Sequence, residues 1–587
     1  MTFKKIANSK LITFMQCFFM TWALMKACFL DAGNIITLLF LGLSYLLILY
    51  VRIVTQRYRE QENAIHLIKR FHIVAAFLTM IFALFMELVY GKVYRSEFEN
   101  SLFIAIIYIA TFIGIWLLSY YTVMAVYLWV HDFKTQREEH YKSVKVIFLM
   151  SMVLCLLGYL PYFLFQFPGI MTPDSLVQME QIWGITPYSN HHPWVHTLLI
   201  KLWYEIGYGI SNDVYIGIAF YTVFQMMVMA ASAAYSIQTL ALLRFRKFVL
   251  ILAAAFFAVV PYNGVFAVTV WKDILFSCAV LNLLSSLTRI ITEKRNKIDY
   301  AVLFFSAFWM CVGRSNGWYA MLVSAPFICI YLYKKKARAG VGLILVAILM
   351  AALIKWPLMN AMNVKQPDFV ESISIPLQEV ARVIVNDREL TLQQQEMIDA
   401  VIDTTYIKDL YNSSFADNIK ELVRAGHPEF LENHKAEYLK FYLKLGLEYP
   451  GDYLDAYIQQ TMGYYSPQSF GLVGDIQGIS PNPYNLVTQP IIGGRAVTKV
   501  NEILIKMEGV IPLYGLICTI GTMFWLLMMA FGYEVCNKGK LWILLIPVFA
   551  LILSVLIATP VSCDIRYFYF MVLAFPMLIL LPKRVEE

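Results

Sequence analysis

The chain has 587 residues, of which 59% are hydrophobic and 15% are charged, with a formal net charge of +7. This composition excludes an ordinary soluble domain and is typical of a polytopic membrane protein. A positive charge can indicate nucleic-acid binding. Here, however, most lysines and arginines lie in short loops between apolar segments, where they set membrane topology. We therefore expect contact with membrane lipids and no nucleic acid.

Apolar segments long enough to cross a bilayer recur along the whole chain, and about fourteen membrane spans are predicted. They lie near 11–30, 33–52, 71–91, 101–130, 145–167, 213–241, 247–263, 269–290, 299–314, 317–333, 339–356, 510–532, 541–560 and 565–582. Basic residues occupy every second connection. They are Lys4, Lys5, Lys10, Arg57, Arg59, Lys69, Arg70, Lys134, Arg137, Lys142, Arg244, Arg246, Lys247, Lys294, Arg295, Lys297, Lys334, Lys335, Lys336, Arg338, Lys538, Lys540, Lys583 and Arg584. By the positive-inside rule, these connections and both termini are cytoplasmic, in a multi-pass protein of the plasma membrane.

The spans and one long polar stretch divide the chain into four segments. Residues 1–144 form an N-terminal module of four helices. Residues 145–356 form a core that carries an outer loop at 168–212. Residues 357–509 are a soluble, mostly helical, extracytoplasmic insert, because apolar residues recur there at helical spacing. Residues 510–587 supply the C-terminal transmembrane helices. The predicted fold class is therefore an all-α polytopic membrane protein.

An acid follows a long apolar segment in the outer loop, where Asp174 comes after Thr172-Pro173. A carboxylate at the membrane boundary costs free energy unless it is hydrated, paired or used. One interpretation is a helix N-cap, a position that Asp favours. The other is a catalytic base or a metal ligand, with Glu180 further along the same helix as a candidate neighbour.

Two histidines close the same loop, His191 and His192. Adjacent side chains point in different directions, so we do not expect both to bind one ion. The alternatives are a polar loop with no chemical role and a contact with substrate. The following stretch, about 193–208, is amphipathic and too short to span, so it is predicted to lie on the membrane interface.

Charged residues also occur in the other connections on the predicted outer face. Lys272 and Asp273 begin one span, Arg314 lies in a break between two apolar helices, and Arg566 begins another span. One interpretation is a set of anchors at the lipid headgroups. The other is a water-filled cavity, in which the acids serve acid–base chemistry and the cations bind a phosphate.

At these residues the chain resembles the GT-C class of integral-membrane glycosyltransferases, in particular a bacterial branch of that class. The resemblance covers about 145–585. It depends on an acid in the first outer loop (Asp174), a second acid after two more spans (Asp273), and an amphipathic helix after the first acid. Arg314, Arg566 and Arg382 match less specific positions.

The resemblance implies a GT-C fold and an inverting transferase that moves a hexose or pentose from a polyprenyl-phosphate sugar to a cell-envelope glycan, lipid or protein. It implies these roles: Asp174 and Asp273 catalytic; Lys272, Arg314 and Arg566 binding the donor phosphate; and His191, His192, Glu180 and Arg382 binding substrate. A divalent cation, Mg²⁺ or Mn²⁺, is the one cofactor considered, with Asp174 and Asp273 as its ligands. The chain departs from the class in two ways: its first loop lacks the paired Asp-Glu seen in some members, and its second loop has one acid, which argues against a bound metal.

Two other functions are compatible with a polytopic chain. A transporter or flippase of lipid-linked saccharides would place charges at the membrane midplane and show paired broken helices in two repeats. Here the charges gather on one predicted face, and the sequence shows no internal repeat. A scaffold for polymer assembly would leave the charges at Asp174, Asp273 and Arg314 unexplained.

Overall fold

The computed structural model describes residues 10–28, 30–31, 33–61, 64–95, 100–133, 141, 143–467, 476–517, 519–539, 541–558, 560–562 and 564–583. Seven cations of the topology prediction lie outside these residues: Lys4, Lys5, Lys134, Arg137, Lys142, Lys540 and Arg584. The described residues form helices and no β-strand. Their extended segments make three isolated bridges, which join Ile170 to Thr269, Met171 to Ile479, and Ser189 to Lys365.

Most of the helices are joined by short connections. In chain order they are α1 (Lys10–Ala27), α2 (Ile36–Arg59), α3 (Ile65–Arg95), α4 (Ser101–Asp132), α5 (Val144–Phe165), α6 (Pro173–Ile182), α7 (Trp194–Ser211), α8 (Val214–Leu242), α9 (Lys247–Val259), α10 (Pro261–Val268), α11 (Lys272–Ile291), α12 (Lys297–Gly313), α13 (Ser315–Lys334), α14 (Arg338–Leu353), α15 (Ser374–Val385), α16 (Leu392–Asp399), α17 (Ile407–Leu410), α18 (Asp417–Ala425), α19 (Pro428–Asn433), α20 (Lys435–Glu448), α21 (Pro450–Thr461), α22 (Arg495–Val510), α23 (Pro512–Ile517), α24 (Ile520–Cys536), α25 (Ile546–Ala558) and α26 (Ile565–Leu580).

Eight helices of the described residues are long and apolar enough to cross a membrane, or nine if α9 and α10, bent by 51°, make one span. The eight are Ile36–Arg59, Ile65–Gly91, Ser101–Asp132, Val144–Phe165, Val214–Leu242, Lys272–Ile291, Arg338–Ala361 and Leu541–Ala558. Helices α24 and α26 are apolar but shorter. A helical, membrane-embedded protein is thus confirmed, while the count of about fourteen spans stays a prediction.

The chain divides into two compact units. The first comprises Met1–Thr135, Phe524–Trp542 and Ile579–Glu587. Its core is apolar and aromatic, with Phe71, Met124 and Tyr127 buried. The Tyr127 hydroxyl donates to the Met529 carbonyl (3.0 Å), so this buried phenol has the partner that a low-dielectric interior requires.

The second unit comprises Gln136–Met523 and Ile543–Leu578. Helix α11 is its most enclosed span, with 94% of its most apolar window buried. Near the end of α11, Arg289 lies 3.2 Å from the Asp299 carboxylate and stacks on the Tyr235 ring at 3.8 Å. These contacts tie α11 to α8 and α12, because a buried guanidinium needs both a counter-charge and hydrogen-bond acceptors. Thus α11 is a fixed support for its first residues, Lys272 and Asp273.

Two helix breaks in this unit bear on the site. Helix α12 ends at Gly313, Arg314 is extended, and α13 begins at Ser315, as the sequence predicted. Helix α14 passes into a π-helical turn at Ile354–Leu358 that contains Pro357. Proline cannot donate the helical hydrogen bond, and π turns are frequent at functional sites.

The predicted insert, 357–509, is mostly helical as far as the structure describes it. Helices α16, α18 and α20 fall within the stretches 389–404, 414–425 and 430–447 that showed helical periodicity, apart from one further residue at the end of α20. The helices share a buried apolar core. Its members include Leu377, Val380, Val383, Ile398, Ile402, Ile419, Val423, Leu431 and Leu445. The insert thus has a hydrophobic core of its own, which supports the charged side chains described below.

Candidate functional site

Five charged side chains from four places in the sequence meet in the second unit. At the centre is Asp273, the second residue of α11, which is only 1% exposed. Arg566 Nε donates to its Oδ2 (2.9 Å). Arg314 Nη1 lies 2.8 Å from its Oδ1 as an ion pair, without the angle of a hydrogen bond. A buried carboxylate is stable only with such compensation, so Asp273 fixes the positions of both arginines.

Asp174 lies beside this pair and is more exposed, with 30% of its side chain accessible. Arg566 Nη2 donates to Asp174 Oδ2 at 2.5 Å, and Lys272 Nζ lies 3.8 Å from the same oxygen. Burial acts to raise the pKa of the Asp174 carboxyl. The charges of Arg566 and Lys272 outweigh it and hold that pKa well below its usual range. Asp174 is therefore ionised, and Arg566 bridges the two acids.

His192 adds a polarised imidazole to the same cluster. Its Nδ1 lies 2.9 Å from Lys272 Nζ and 3.9 Å from Asp174 Oδ2. Burial, together with the positive charge of Lys272, lowers the pKa of His192 to about 2, so the ring is neutral. An ammonium group can only donate. Nδ1 therefore accepts from Lys272, and the ring proton sits on Nε2.

The start of α6 places Asp174, and the local structure excludes the interpretation of Asp174 as an N-cap. Thr172 is the N-cap residue, and its backbone N–H donates to the Ser175 hydroxyl (3.2 Å) in a capping box. Pro173 takes the first helical position, which suits proline because its missing N–H would have had no partner. Asp174 is the second helical residue, and its carboxylate is free to turn toward Arg566.

The segment before α6 is held on both sides by backbone hydrogen bonds. Ile170 N–H donates to Val268 (2.8 Å) and its carbonyl accepts from Val270 (2.9 Å). Met171 N–H donates to Gly478 (3.0 Å) and its carbonyl accepts from Ser480 (2.8 Å). These bonds fix the segment leading to Asp174 against the segment leading to Lys272.

A buried chain of polar side chains supports the same two segments. Gln178 contacts His196 Nδ1 (3.0 Å), and His196 Nε2 contacts the Tyr221 hydroxyl (2.7 Å). Tyr221 donates to Gln225 (3.3 Å), whose amide donates to the Thr269 carbonyl (2.7 Å). Burial, with a smaller effect of the Lys272 charge, lowers the pKa of His196 to about 3. No prediction from the sequence included this chain, and its one local signal was Gln225, an amide within the largely apolar helix α8.

The cluster opens into a cavity of about 1310 Å³. Its basic lining residues are Lys272, Arg314, Lys355, Lys420, Arg424 and Arg566, and its acidic ones are Asp174, Glu371, Asp417 and Glu421. His191 and His192 also line it. The cavity is large enough for a sugar and a phosphate together, and the insert supplies part of its wall.

The insert side of the cavity carries its own ion-pair network. Lys420 lies 2.9 Å from Glu371 and 3.0 Å from Asp417. Arg424 lies 2.5 Å from Glu371 and 2.6 Å from Glu421. Burial acts to raise the pKa of Glu371, but the Lys420 charge and hydrogen bonds from both cations lower it to about 2. Glu371 is therefore ionised, and the charged side chains of this wall are paired with one another.

Two of the predicted substrate-binding residues lie apart from the cavity lining. Glu180 accepts a hydrogen bond from the Tyr484 hydroxyl (2.8 Å). Arg382 pairs with Asp455 inside the insert and lies 5.9 Å from the Tyr411 ring. Both side chains therefore have structural partners. Among the predicted catalytic residues, Asp273 is likewise enclosed by the two arginines, whereas Asp174 reaches the cavity.

The charge of the cluster indicates what it can bind. The positive charges of Lys272, Arg314 and Arg566 outnumber the negative charges of the two acids by one when His192 and the neighbouring Asp564 are both neutral. Asp564, nearby, accepts from the Arg566 backbone N–H (2.9 Å). Burial raises its pKa against the pull of Arg566. The excess charge suits an anion such as phosphate.

A divalent cation does not fit these residues. Both candidate ligands, Asp174 and Asp273, are already bound by arginine, and the surrounding donors are cationic. In the part of the chain that the structure describes, no group of three His, Cys, Asp or Glu side chains is arranged to hold a metal. An Mg²⁺ or Mn²⁺ site normally gathers several oxygen ligands, so no step below depends on one.

Comparison with known proteins adds a family but no activity. Neither the curated proteins nor the solved structures include a match to the chain. One family, described as a family of unknown function (DUF6020), matches residues 183–586. The match contains Lys272, Asp273, Arg314 and Arg566 and begins after Asp174. It covers more than half of the chain, which therefore belongs to the DUF6020 family.

Proposed function

We propose that the protein is an inverting glycosyltransferase. It moves a sugar from a polyprenyl-phosphate donor to a cell-envelope glycan, lipid or protein. The observation that carries this proposal is the cluster itself, in which a partly exposed, ionised Asp174 lies beside Lys272 and Arg566 at the edge of a large cavity, with Arg314 paired to the neighbouring acid. A carboxylate next to an anion site is the arrangement that transfer from a sugar phosphate requires.

The reaction uses each group in turn. Lys272, Arg314 and Arg566 bind the phosphate of the donor, and their charges hold it against the cavity wall. The acceptor hydroxyl attacks the anomeric carbon from the face opposite the phosphate, while Asp174 takes the hydroxyl proton. The bond between the anomeric carbon and the phosphate oxygen breaks, and the phosphate keeps the electron pair. The three cations stabilise that developing charge.

The low pKa of Asp174 shapes this mechanism. A carboxylate held ionised by Arg566 and Lys272 is a weak base, so it cannot remove a hydroxyl proton in a separate earlier step. Proton transfer accompanies formation of the glycosidic bond, when the hydroxyl becomes acidic. Binding of an anionic donor weakens the pull of Arg566 and Lys272 on Asp174, which raises its basicity at the required moment.

Asp273 acts differently in this proposal from Asp174. It is buried between Arg314 and Arg566, so we assign it a positioning role rather than a direct one. His192 holds the Lys272 ammonium through Nδ1, and its Nε2–H is available to a sugar hydroxyl. His191 lines the cavity beside it, with ring centroids 4.7 Å apart.

The proposal extends to topology. The protein has a GT-C fold with about fourteen spans, its termini are cytoplasmic by the positive-inside rule, and the site lies on the extracytoplasmic side. This topology is supported by the cations in alternate loops, by the helix break at Arg314 and by the helical insert beside the cavity. A lipid-linked donor suits such a site, since its phosphate lies at the membrane boundary.

The test compares surface glycans of cells that make the wild-type chain, Asp174→Asn or no chain. Loss of one sugar residue from the envelope, in both the deletion and the Asp174→Asn cells, is the expected result. Glu205→Gln is the matched control, because Glu205 is 61% exposed and its ion pair with Lys201 is on the surface.

Two outcomes would contradict the proposal. One is a normal glycan from Asp174→Asn at wild-type abundance. The other is passage of a lipid-linked saccharide across vesicles that contain the purified protein and no acceptor, without sugar transfer when an acceptor is added. The second result would establish a transporter instead.

A further inference from the structure

One lysine of the cavity has no role in the cluster around Asp174. Lys355 lies in the π-helical turn Ile354–Leu358 that continues the membrane-capable helix α14. It lines the cavity together with Arg314, Ser315 and Asn316. In the described part of the chain it forms no ion pair. A cation at such a place without a carboxylate partner is costly, and it usually marks a functional site.

The π turn explains why this lysine faces inward. A wider turn changes the direction of side chains relative to a regular α-helix, and Pro357 favours the change because it lacks an N–H. Lys355 Nζ lies over the ring of Trp318, 5.8 Å from its centroid. A lysine that simply reached for the lipid headgroups would instead extend along its helix toward the membrane surface.

The aromatic residues around Lys355 mark the edge of the cavity. Trp318 is buried (7% exposed), and Trp356 packs against it edge to face at 5.3 Å. Trp356 and Tyr319 line the cavity and yet are 52% and 64% exposed. Apolar side chains of the same turn and helices continue this exposed surface, including Leu353 and Leu358. The cavity thus opens between α13 and α14 onto an apolar surface of a membrane protein.

We propose that Lys355, with Trp318 and Trp356, forms a second anion site, which takes the phosphate of a lipid-linked substrate at this opening. The inference rests on the proposed use of a polyprenyl-phosphate donor. The tail lies along the exposed apolar surface, the phosphate meets the ammonium of Lys355, and the indole faces pack against the first isoprene units or the sugar. The phosphate then has a cation at the entrance as well as at Arg566 and Lys272.

A lipid-borne phosphate fits these observations better than a free anion. A free phosphate needs only charge and hydrogen-bond donors, whereas here two indoles and a run of exposed apolar side chains adjoin the single cation. A ligand with both an anionic and an apolar part uses both surfaces. Nearby helix α13 begins at Ser315, so its first backbone N–H groups also border the cavity.

The test measures binding rather than transfer. The full chain is placed in phosphatidylcholine nanodiscs and titrated with a short prenyl monophosphate, with the matching prenyl alcohol, and with inorganic phosphate. Lys355→Met is expected to weaken binding of the prenyl monophosphate about tenfold or more, since a hydrogen bond to a charged group is lost. Lys355→Arg should stay within about threefold, and the alcohol should bind both variants equally.

Lys365→Ala is the control, because Lys365 is exposed, close in sequence and not part of the cavity lining. Unchanged prenyl-phosphate binding by Lys355→Met would overturn the inference. The inference would also be overturned if inorganic phosphate bound as tightly as the prenyl monophosphate and its binding depended on Lys355 to the same extent. Lys355→Gln serves if Lys355→Met does not yield a monodisperse protein.

The outcomes separate this inference from the proposed function. Prenyl-phosphate binding that depends on Lys355, in a protein that transfers no sugar, would leave the lipid-phosphate site standing and remove the transferase. Sugar transfer with the same KM for the donor in wild type and Lys355→Met would support the transferase and remove the lipid-phosphate site at Lys355.

Discussion

Replacing Asp273 by asparagine should mainly destabilise the protein, whereas the same change at Asp174 should mainly abolish its activity. Asp273 is 1% exposed and compensates Arg314 and Arg566. Removing its charge takes from Arg314, 10% exposed, the carboxylate with which it pairs, and leaves Arg566, 15% exposed, with Asp174 alone. Breaking a buried pair in this way costs about 3–5 kcal/mol. Asp174 is more exposed, and without it Arg566 keeps its bond to Asp273, so the expected cost is only about 1–2 kcal/mol.

The assay is thermal unfolding of the purified full-length protein alongside sugar transfer in membranes. For Asp273→Asn we expect a fall in Tm on the order of 5 °C or more. For Asp174→Asn we expect a Tm near wild type with transfer lowered by roughly 10²–10⁴, the usual contribution of a general base. Asp213→Asn is the matched control. Asp213 is an exposed N-cap whose side chain accepts from Tyr215 N–H (2.7 Å), and asparagine caps equally well.

Equal losses of Tm in the two variants would refute the division of roles between the acids. So would an Asp273→Asn protein as stable as wild type, because the ion pairs around Asp273 would then contribute nothing to the fold.

Three further changes test other parts of the structure. Gly169→Ala should lower the free energy of unfolding by about 2 kcal/mol or more, because the φ of Gly169 is +146° and a Cβ would lie 2.5 Å from Thr222 Oγ1. Adding Thr222→Ala to this variant should restore part of the loss in Tm. An unchanged Tm in Gly169→Ala would contradict the close contact. In the insert, burial raises the pKa of Glu379 to about 7 despite the hydrogen bond from Tyr442. The contribution of Glu379 to the free energy of unfolding is therefore fully present below pH 4.5 and is lost as the pH rises through about 7, a change of about 3 kcal/mol. Glu379→Gln should make Tm depend less steeply on pH. An equally steep dependence in that variant would contradict the raised pKa. The depressed pKa of Asp174 without donor means that its carboxylate is lost only at pH values below the ordinary range of aspartate. The pH profile of kcat/KM for the donor, which reports the free enzyme, should therefore show no acid limb from Asp174 between pH 7 and about 4.5. A kcat/KM profile with a limb near pH 6 that shifts in Asp174→Glu would disprove this.

The helical membrane class and the residues of the charge cluster could both be predicted from the sequence, for one physical reason. Charged residues are rare in apolar segments, so each of Asp174, Lys272, Asp273, Arg314 and Arg566 stands out, and their separate costs suggest mutual compensation. The helix break at Arg314 could be predicted for a similar reason, since glycines lie on both sides of it in an otherwise continuous apolar run.

Other features depend on contacts that no local pattern encodes. Glu180 resembles a site residue until its partner Tyr484, 304 residues away, is known. Arg382 likewise pairs with Asp455, 73 residues away. Lys355 could not be singled out because one lysine barely changes the mean hydropathy of the span Arg338–Ala361, and the direction of its side chain depends on the π turn. The chain from Gln178 to Gln225 required the packing of α6, α7 and α8 before it had meaning.

The bond between Arg566 and Asp174 joins residues 392 positions apart, and this has a consequence for how the protein is made. Ribosomes deliver Asp174, Lys272, Asp273 and Arg314 to the membrane long before α26 appears. Until α26 is inserted, Asp273 has Arg314 as its one arginine partner and Asp174 has none. The nascent chain therefore carries an incomplete, hydrated charge cluster through most of its synthesis, and any truncation upstream of Arg566 would leave it in that state. The charge cluster is completed only when α26 is inserted, so a quality-control protease that senses exposed charge within the bilayer would also sense whether Arg566 has joined the two acids.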